Sequence, residues 1–286
     1  MAFGMSAPWI FTSGEHTVLY HYTSLEAARA IVENRSFRLS EHTAMNDASE
    51  FTYARERLLD LMRNREVYMD LGSRVAVVAA IEAFSANTGL MIGSLTARRD
   101  DLGQWRSYAD NGKGCVLGLD ARYLEHWAGV AIRTIVYEEA MVDRMLKVAL
   151  SVVQNQWEEA PGDAERLFEF ARRTAADLFT IKHPSFADER EVRISRMLVR
   201  DGDSFLDVGG NRTDGAKTPM LTVAVRDGAF GPTRYVALPL TRDDGSSAIV
   251  SVGFGPTMPS DIADANRAFF ESHGAEVWRS TIPYRV

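Results

Sequence analysis

Apolar and polar positions along the chain switch between a helical period and short extended runs, and these switches divide it into many small elements. Val18 to Tyr22 reads as a strand. Thr23-Ser24-Leu25-Glu26 has the form of a capping box, in which the side chains at either end of a first turn satisfy free backbone N–H groups. A helix follows to about Asn34, with Leu25, Ala28, Ile31 and Val32 on one face. Phe37 to Ser40 reads as a second strand, and Asp47 to Glu50 opens a helix carrying Phe51, Ala54, Leu58 and Met62. Arg74 to Phe84 reads as a buried helix.

Strands then become frequent. The pattern predicts Leu90–Thr96, Cys115–Asp120 and Ala131–Tyr137 as strands, with a short helix from about Asp101 to Ala109. Met141 to Phe179 is helical, broken near Pro161-Gly162, and Glu191–Met197 is a strand. Leu221–Val225, Arg234–Leu240 and Ile249–Gly253 follow as strands, then a helix over Ser260–His273 and a last strand, Glu276–Ile282. Helices and strands interleave without a regular βαβ period. The expected fold is therefore α+β: a mixed, mostly antiparallel sheet with flanking helices. Asp201 to Lys217, rich in Gly and Asp, reads as a surface loop, and residues 1–286 as one domain.

Composition narrows the function classes. The 286 residues are 46% hydrophobic and 25% charged, the balance of a globular chain. The net charge is −7, which argues against a broad phosphate-binding surface. Cys115 is the single cysteine, so no internal disulfide forms, and its apolar surroundings mark it as a buried small residue. No apolar run approaches the roughly 20 residues of a membrane helix. The N-terminus lacks a basic signal-peptide region, so a cytoplasmic protein without a membrane partner is expected. HExxH, CxxC, GxSxG, P-loop and strand-borne GxGxxG motifs are absent, and the six histidines lack metal-ligand spacing, so no metal site is expected.

Four clusters carry candidate chemistry. His21 and Thr23 share one face of the first strand, where they can hydrogen-bond a ribose or a carboxamide, although Thr23 also fits a helix cap. Asn46 and Asp47 with Glu50 form a polar group that equally suits a cap. Trp105 and Tyr108 share a helix face and serve as core or as an aromatic wall for a ring ligand. Glu189 and Glu191, flanking Arg190 and followed by Arg193, stand at the start of a strand whose Val192 and Ile194 face the core. Two carboxylates so close raise one pKa unless a cation lies between them. They suit general-base and electrostatic work, or else pair with the arginines for structure.

The order of Leu19-Tyr20-His21-Tyr22-Thr23, Phe37-Arg38-Leu39-Ser40, Asn46-Asp47-x-x-Glu50, Gln104-Trp105-x-x-Tyr108-Ala109, Gly112-Lys113-Gly114, Phe186-x-x-Glu189-x-Glu191-Val192-Arg193, Val252-Gly253-Phe254-Gly255-Pro256 and Ser280-Thr281-Ile282-Pro283-Tyr284-Arg285 resembles a bacterial family of unknown function, the one numbered 2971. More distantly, His21-x-Thr23 and Phe186-x-x-Glu189-x-Glu191-Val192 resemble ADP-ribosyltransferase-like folds, which bind NAD in the cleft of a split sheet. That resemblance implies NAD as substrate, Glu191 as the catalytic glutamate and Glu189 as the acceptor-side one. It also implies His21 and Thr23 holding NAD, and Ser94-Leu95-Thr96 standing where related chains carry a Ser-Thr-Ser strand. Tyr22, Tyr53 and Tyr108 each qualify as the residue that stacks on nicotinamide. The acceptor is an unspecified protein, nucleic acid or water, and a toxin or defence setting is what such folds suggest. The competing readings are a non-catalytic nucleotide- or protein-binding module and, with Asp47, Glu50 and Glu191 converging, a nuclease.

Overall fold

The computed structural model describes residues 11–44, 50–228 and 231–285. In chain order its elements are β1 (Val18–Thr23), α1 (Leu25–Asn34), β2 (Ser36–Glu41), α2 (Glu50–Arg63), α3 (Leu71–Asn87), β3 (Thr88–Thr96), α4 (Leu102–Tyr108), β4 (Cys115–Asp120), α5 (Ala121–His126), β5 (Ala131–Thr134), α6 (Glu139–Glu159), α7 (Ala164–Asp177), β6 (Glu191–Asp201), β7 (Ser204–Leu206), β8 (Val223–Gly228), β9 (Gly231–Pro239), β10 (Ile249–Phe254), α8 (Ser260–Ser272) and β11 (Glu276–Arg279). The strands join in one sheet ordered β11-β10-β4-β1-β3-β2-β9-β8, with β6 also on β3 and with β5 and β7 on β6. Every named pair is antiparallel except β10–β11. The chain is thus α+β with a mixed, mostly antiparallel, open sheet. The helical break near Pro161-Gly162 separates α6 from α7.

Both faces of the sheet are covered, and the two-residue period of β3 shows how. Met91 and Leu95 enter a core shared with α1, α5 and α8, through Ala28, Leu124 and Phe270. Leu90 and Ile92 enter a second core built by α2, α3, α6 and α7, through Leu58, Val77, Leu146 and Leu167. Val192 and Ile194 of β6 join the first core as their spacing predicts.

Two expectations change. Ser24, not Thr23, caps α1, its Oγ accepting from the backbone N–H of Ala27 at 3.1 Å. Thr23 belongs to β1, opposite Cys115. The 201–217 stretch is not simply a surface loop, because Ser204–Leu206 pairs with β6 and Asp207 is buried. Both Asp207 carboxylate oxygens take Arg196 nitrogens, Nε at 3.0 Å and Nη2 at 2.6 Å, and the backbone N–H of Leu221 donates to the same group at 2.6 Å. A short polar stretch reads as loop from composition. Its anchor is an acid whose partner lies on a strand, which no local pattern reveals.

Breaking a buried ion pair on one side leaves the other charge without compensation and costs about 3–5 kcal/mol. Asp207→Asn is therefore expected to lower the urea midpoint by that amount of stability, and an unchanged midpoint would show that the pair does not anchor the segment.

Candidate functional site

The sheet is split at β3. β6 pairs with β3 from Thr88 to Thr96, filling one edge. The other edge is shared. β1 touches it at Tyr20↔Thr96, and β2 at Ser40↔Ile92 and Glu41↔Met91. Between these contacts β1 and β2 diverge, and a cavity of about 470 Å³ opens beside Gly93–Leu95. Gly93 is required there, since a Cβ would lie 2.4 Å from the Phe37 ring.

His21 spans the opening. Its Nδ1 lies 3.1 Å from the Ser94 carbonyl oxygen, and its ring meets Phe37 edge-on with centroids 4.7 Å apart. A carbonyl only accepts, so Nδ1 carries the proton and Nε2 keeps a free lone pair. Burial pushes the His21 pKa down, and the Ser94 carbonyl offsets part of that, so the ring is neutral at pH 7.

Across the cavity, Glu191 is 4% exposed. Its Oε1 accepts from Ser94 Oγ at 2.7 Å and from Arg193 Nε at 2.7 Å. Its Oε2 accepts from Arg193 Nη2 at 2.9 Å, with Lys182 Nζ at 3.5 Å. Burial alone would raise the Glu191 pKa, but Arg193, Lys182 and the Ser94 hydroxyl outweigh it and hold the group below the ordinary glutamate value. Lys182 also donates to Glu189 Oε2 at 2.7 Å, while Glu189 Oε1 accepts from Tyr108 at 2.6 Å. Burial and that carboxylate push the Tyr108 pKa up.

The cation between the carboxylates changes the expected electrostatics. With nothing between the two carboxylates, one pKa would rise. Lys182 separates them, and Glu191 shifts down. Nor is the pair displayed along one extended face. Glu189 ends a short 3₁₀ helix over Pro184–Glu189, and Arg190, at φ 46°, turns the chain into β6. The side of β6 opposite Val192 and Ile194 does not face water, because the 178–189 segment covers it and the Phe179 carbonyl takes Arg193 Nη1 at 3.0 Å.

Among the candidates, His21, Tyr22, Thr23, Ser94, Tyr108, Glu189 and Glu191 all line this one cavity. Thr96 lies just behind it and donates to the Arg190 carbonyl at 3.2 Å. Trp105 lines no part of it. The ring is fully buried against Tyr22, and its Nε1 donates to Asp100 at 2.6 Å, so core packing is its observed setting. Tyr53 packs edge-on against His183. Asn46 and Asp47 fall outside the described residues. No group of three or more His, Cys, Asp or Glu side chains suited to a metal occurs among the described residues. Lys182 escaped the sequence reading, while Phe37 and Gln104, whose Nε2 donates to the Glu189 carbonyl at 2.9 Å, stood only within the family motifs, with no role given to them. A buried lysine seven positions before an acid carries no pattern of its own; the one available signal was that two neighbouring carboxylates need a cation.

Residues 104–194 match the model of a protein family of unknown function, DUF2971. The matched stretch holds Tyr108, Lys182, Glu189, Glu191 and Arg193, and leaves out β1 with His21. No curated protein and no solved structure matches the chain.

Stability is expected to depend on pH through this site. His21 binds a proton more readily unfolded than folded, so its contribution is complete above pH about 6.5 and is lost as pH falls toward its depressed folded value. His42, also depressed by burial, acts in the same direction, and Glu191 adds a further loss below pH about 4.3. Urea unfolding followed from neutral to acid pH should show a decline beginning near pH 6.5 that is shallower in His21→Gln. Parallel curves for the two proteins would mean that the imidazole is not held neutral.

Proposed function

We propose that the cavity binds NAD as a substrate and that the chain is an ADP-ribosyltransferase-like enzyme cleaving the bond between nicotinamide and ribose. The observation that carries this reading is the hydrogen bond from Ser94 to an ionised, buried Glu191 in the wall of a cavity that His21 also lines. The split of the sheet at β3 accords with the same fold likeness. At about 470 Å³ the cavity falls in the size range of small-molecule sites.

Departing nicotinamide takes the electron pair of the C–N bond, and positive charge develops on the ribose. A carboxylate already fixed and ionised stabilises that charge more than it stabilises the neutral sugar. Arg193 and Ser94 fix Glu191, so little reorganisation accompanies the step. The acceptor then bonds the anomeric carbon, and its proton passes to Glu189, the more accessible carboxylate. Thr23 and the Nε2 lone pair of His21 meet hydroxyl or amide groups of the ligand. Tyr22 and Tyr108 line the same space, and Tyr108, half out of the core and aimed at Glu189, is the better placed to meet the nicotinamide ring.

A second reading has its own observation. The Glu191 carboxylate accepts three hydrogen bonds from protein groups, which suits a structural tie in a non-catalytic nucleotide- or protein-binding module. Nicotinamide release by the purified protein, measured beside NAD calorimetry, separates the two. In the enzyme, Glu191→Gln keeps NAD binding and loses about 100-fold or more in turnover, and Ser94→Ala, which leaves the ion pairs intact, loses less. In the module, NAD or another nucleotide binds, nothing is released, and Glu191→Gln changes only the melting temperature. Wild-type turnover in Glu191→Gln sinks the catalytic assignment.

A further inference from the structure

Two guanidinium groups line the cavity from the β2–β8 side, Arg38 and Arg226. Arg38 lies over the ring of Tyr235, 4.9 Å from its centroid, and Arg226 Nη2 donates to Ser40 Oγ at 3.3 Å. Neither forms an ion pair among the described residues, whereas nearby Arg234 is paired with Glu41. In a chain of net charge −7, two cations left without acids on one cavity wall are a local feature, not a basic surface.

Register explains why they meet. Ser40 and Ala224 both stand opposite Tyr235, and Arg226 stands opposite Thr233. Paired residues share a face and alternate ones return to it, so Arg38, Ser40, Tyr235 and Arg226 stand together. Ser40 is also opposite Ile92, two residues from Ser94, which holds Glu191. Ser40 therefore lies on the same face as Ser94, about 7 Å away along β3 and about 5 Å across one strand spacing, and Glu191 lies one strand further on, in β6. Arg38, Arg226 and Ser40 line the same cavity as Ser94 and Glu191.

We infer that Arg38 and Arg226 form the phosphate-binding end of the cavity, with Ser40 between them, so that its ligand is a ribonucleotide bearing a phosphate or diphosphate. The inference rests on the NAD reading for the sugar at Glu191, and on the unpaired guanidinium groups for the phosphate. Arginine suits this end because its planar fork matches two phosphate oxygens at once. Ser36 and Ser40 add hydroxyl groups to the same wall.

Calorimetry with ADP, inorganic pyrophosphate and NAD tests it on the full chain. All three are expected to bind the wild type with affinities that fall as salt rises. In the double variant R38A/R226A, binding of each is expected to weaken about tenfold or more and to lose most of its salt dependence. Both side chains are exposed, so the melting temperature should hold, and R38K/R226K should recover part of the affinity. Equal binding by R38A/R226A overturns the inference, as does failure of ADP and pyrophosphate to bind the wild type. Arginine-dependent ADP binding without nicotinamide release upholds the phosphate end while the catalytic reading falls. Glu191-dependent release with NAD affinity unchanged in R38A/R226A does the reverse.

Discussion

One edge of β3 is claimed by two strands, and the rest of the site follows from that competition. β1 holds the Thr96 end and β2 the Ile92 end, so neither completes the ladder between them. Buried backbone groups left without partners are costly. The chain meets that constraint with a side chain in place of a strand: the His21 imidazole bonds the Ser94 carbonyl. Gly93 then lets Phe37 lie across the opening, and the space that remains is the cavity. His21 and Phe37 approach from one face of the sheet and Ser94 and Glu191 from the other. They share a cavity only because the sheet is open between them.

The second constraint is electrostatic. A carboxylate as buried as Glu191 stays ionised only when paired and hydrogen-bonded. Arg193 supplies the pair from two residues along the same strand, and Lys182 from the segment that closes over it. This arrangement joins the split sheet to the helical layer, since Arg193 also holds the Phe179 carbonyl, and Phe179 packs against Phe51 and Phe84. The geometry of the carboxylate is thereby tied to the second core.

How much of this the sequence disclosed depends on whether the signal was local. Cys115–Asp120 emerged with its observed bounds because a short apolar run ending in Asp120, which caps α5 by accepting from Arg122 and Tyr123, is complete within a few residues. The facing of Val192 and Ile194 was legible from a two-residue period. Thr23 and Ser24 are adjacent and both able to cap, so only the register of β1 against β4 assigned the role. The grouping of His21, Ser94 and Glu191 came from a resemblance and not from any local pattern, and the three line one cavity. Lys182, Asp207 and Trp105 were illegible or misleading for one reason. What surrounds each is brought there by elements distant in the chain, and burial of a charge or an aromatic ring says nothing about function until those neighbours are known.

The pairing partners of this sheet are far apart in the order of synthesis. β1 and β2 are made early, β3 meets β6 only after α4 to α7 have been made, and β2 gains its second neighbour only when β9 arrives. Loop closure over such separations makes assembly slow, and unpaired strand edges stay open meanwhile. On a chain still leaving the ribosome there is consequently no cleft at all. Its floor waits for β6, and its far wall waits for β8, which joins β2 only through β9, so the cavity is complete only once these late strands are in place.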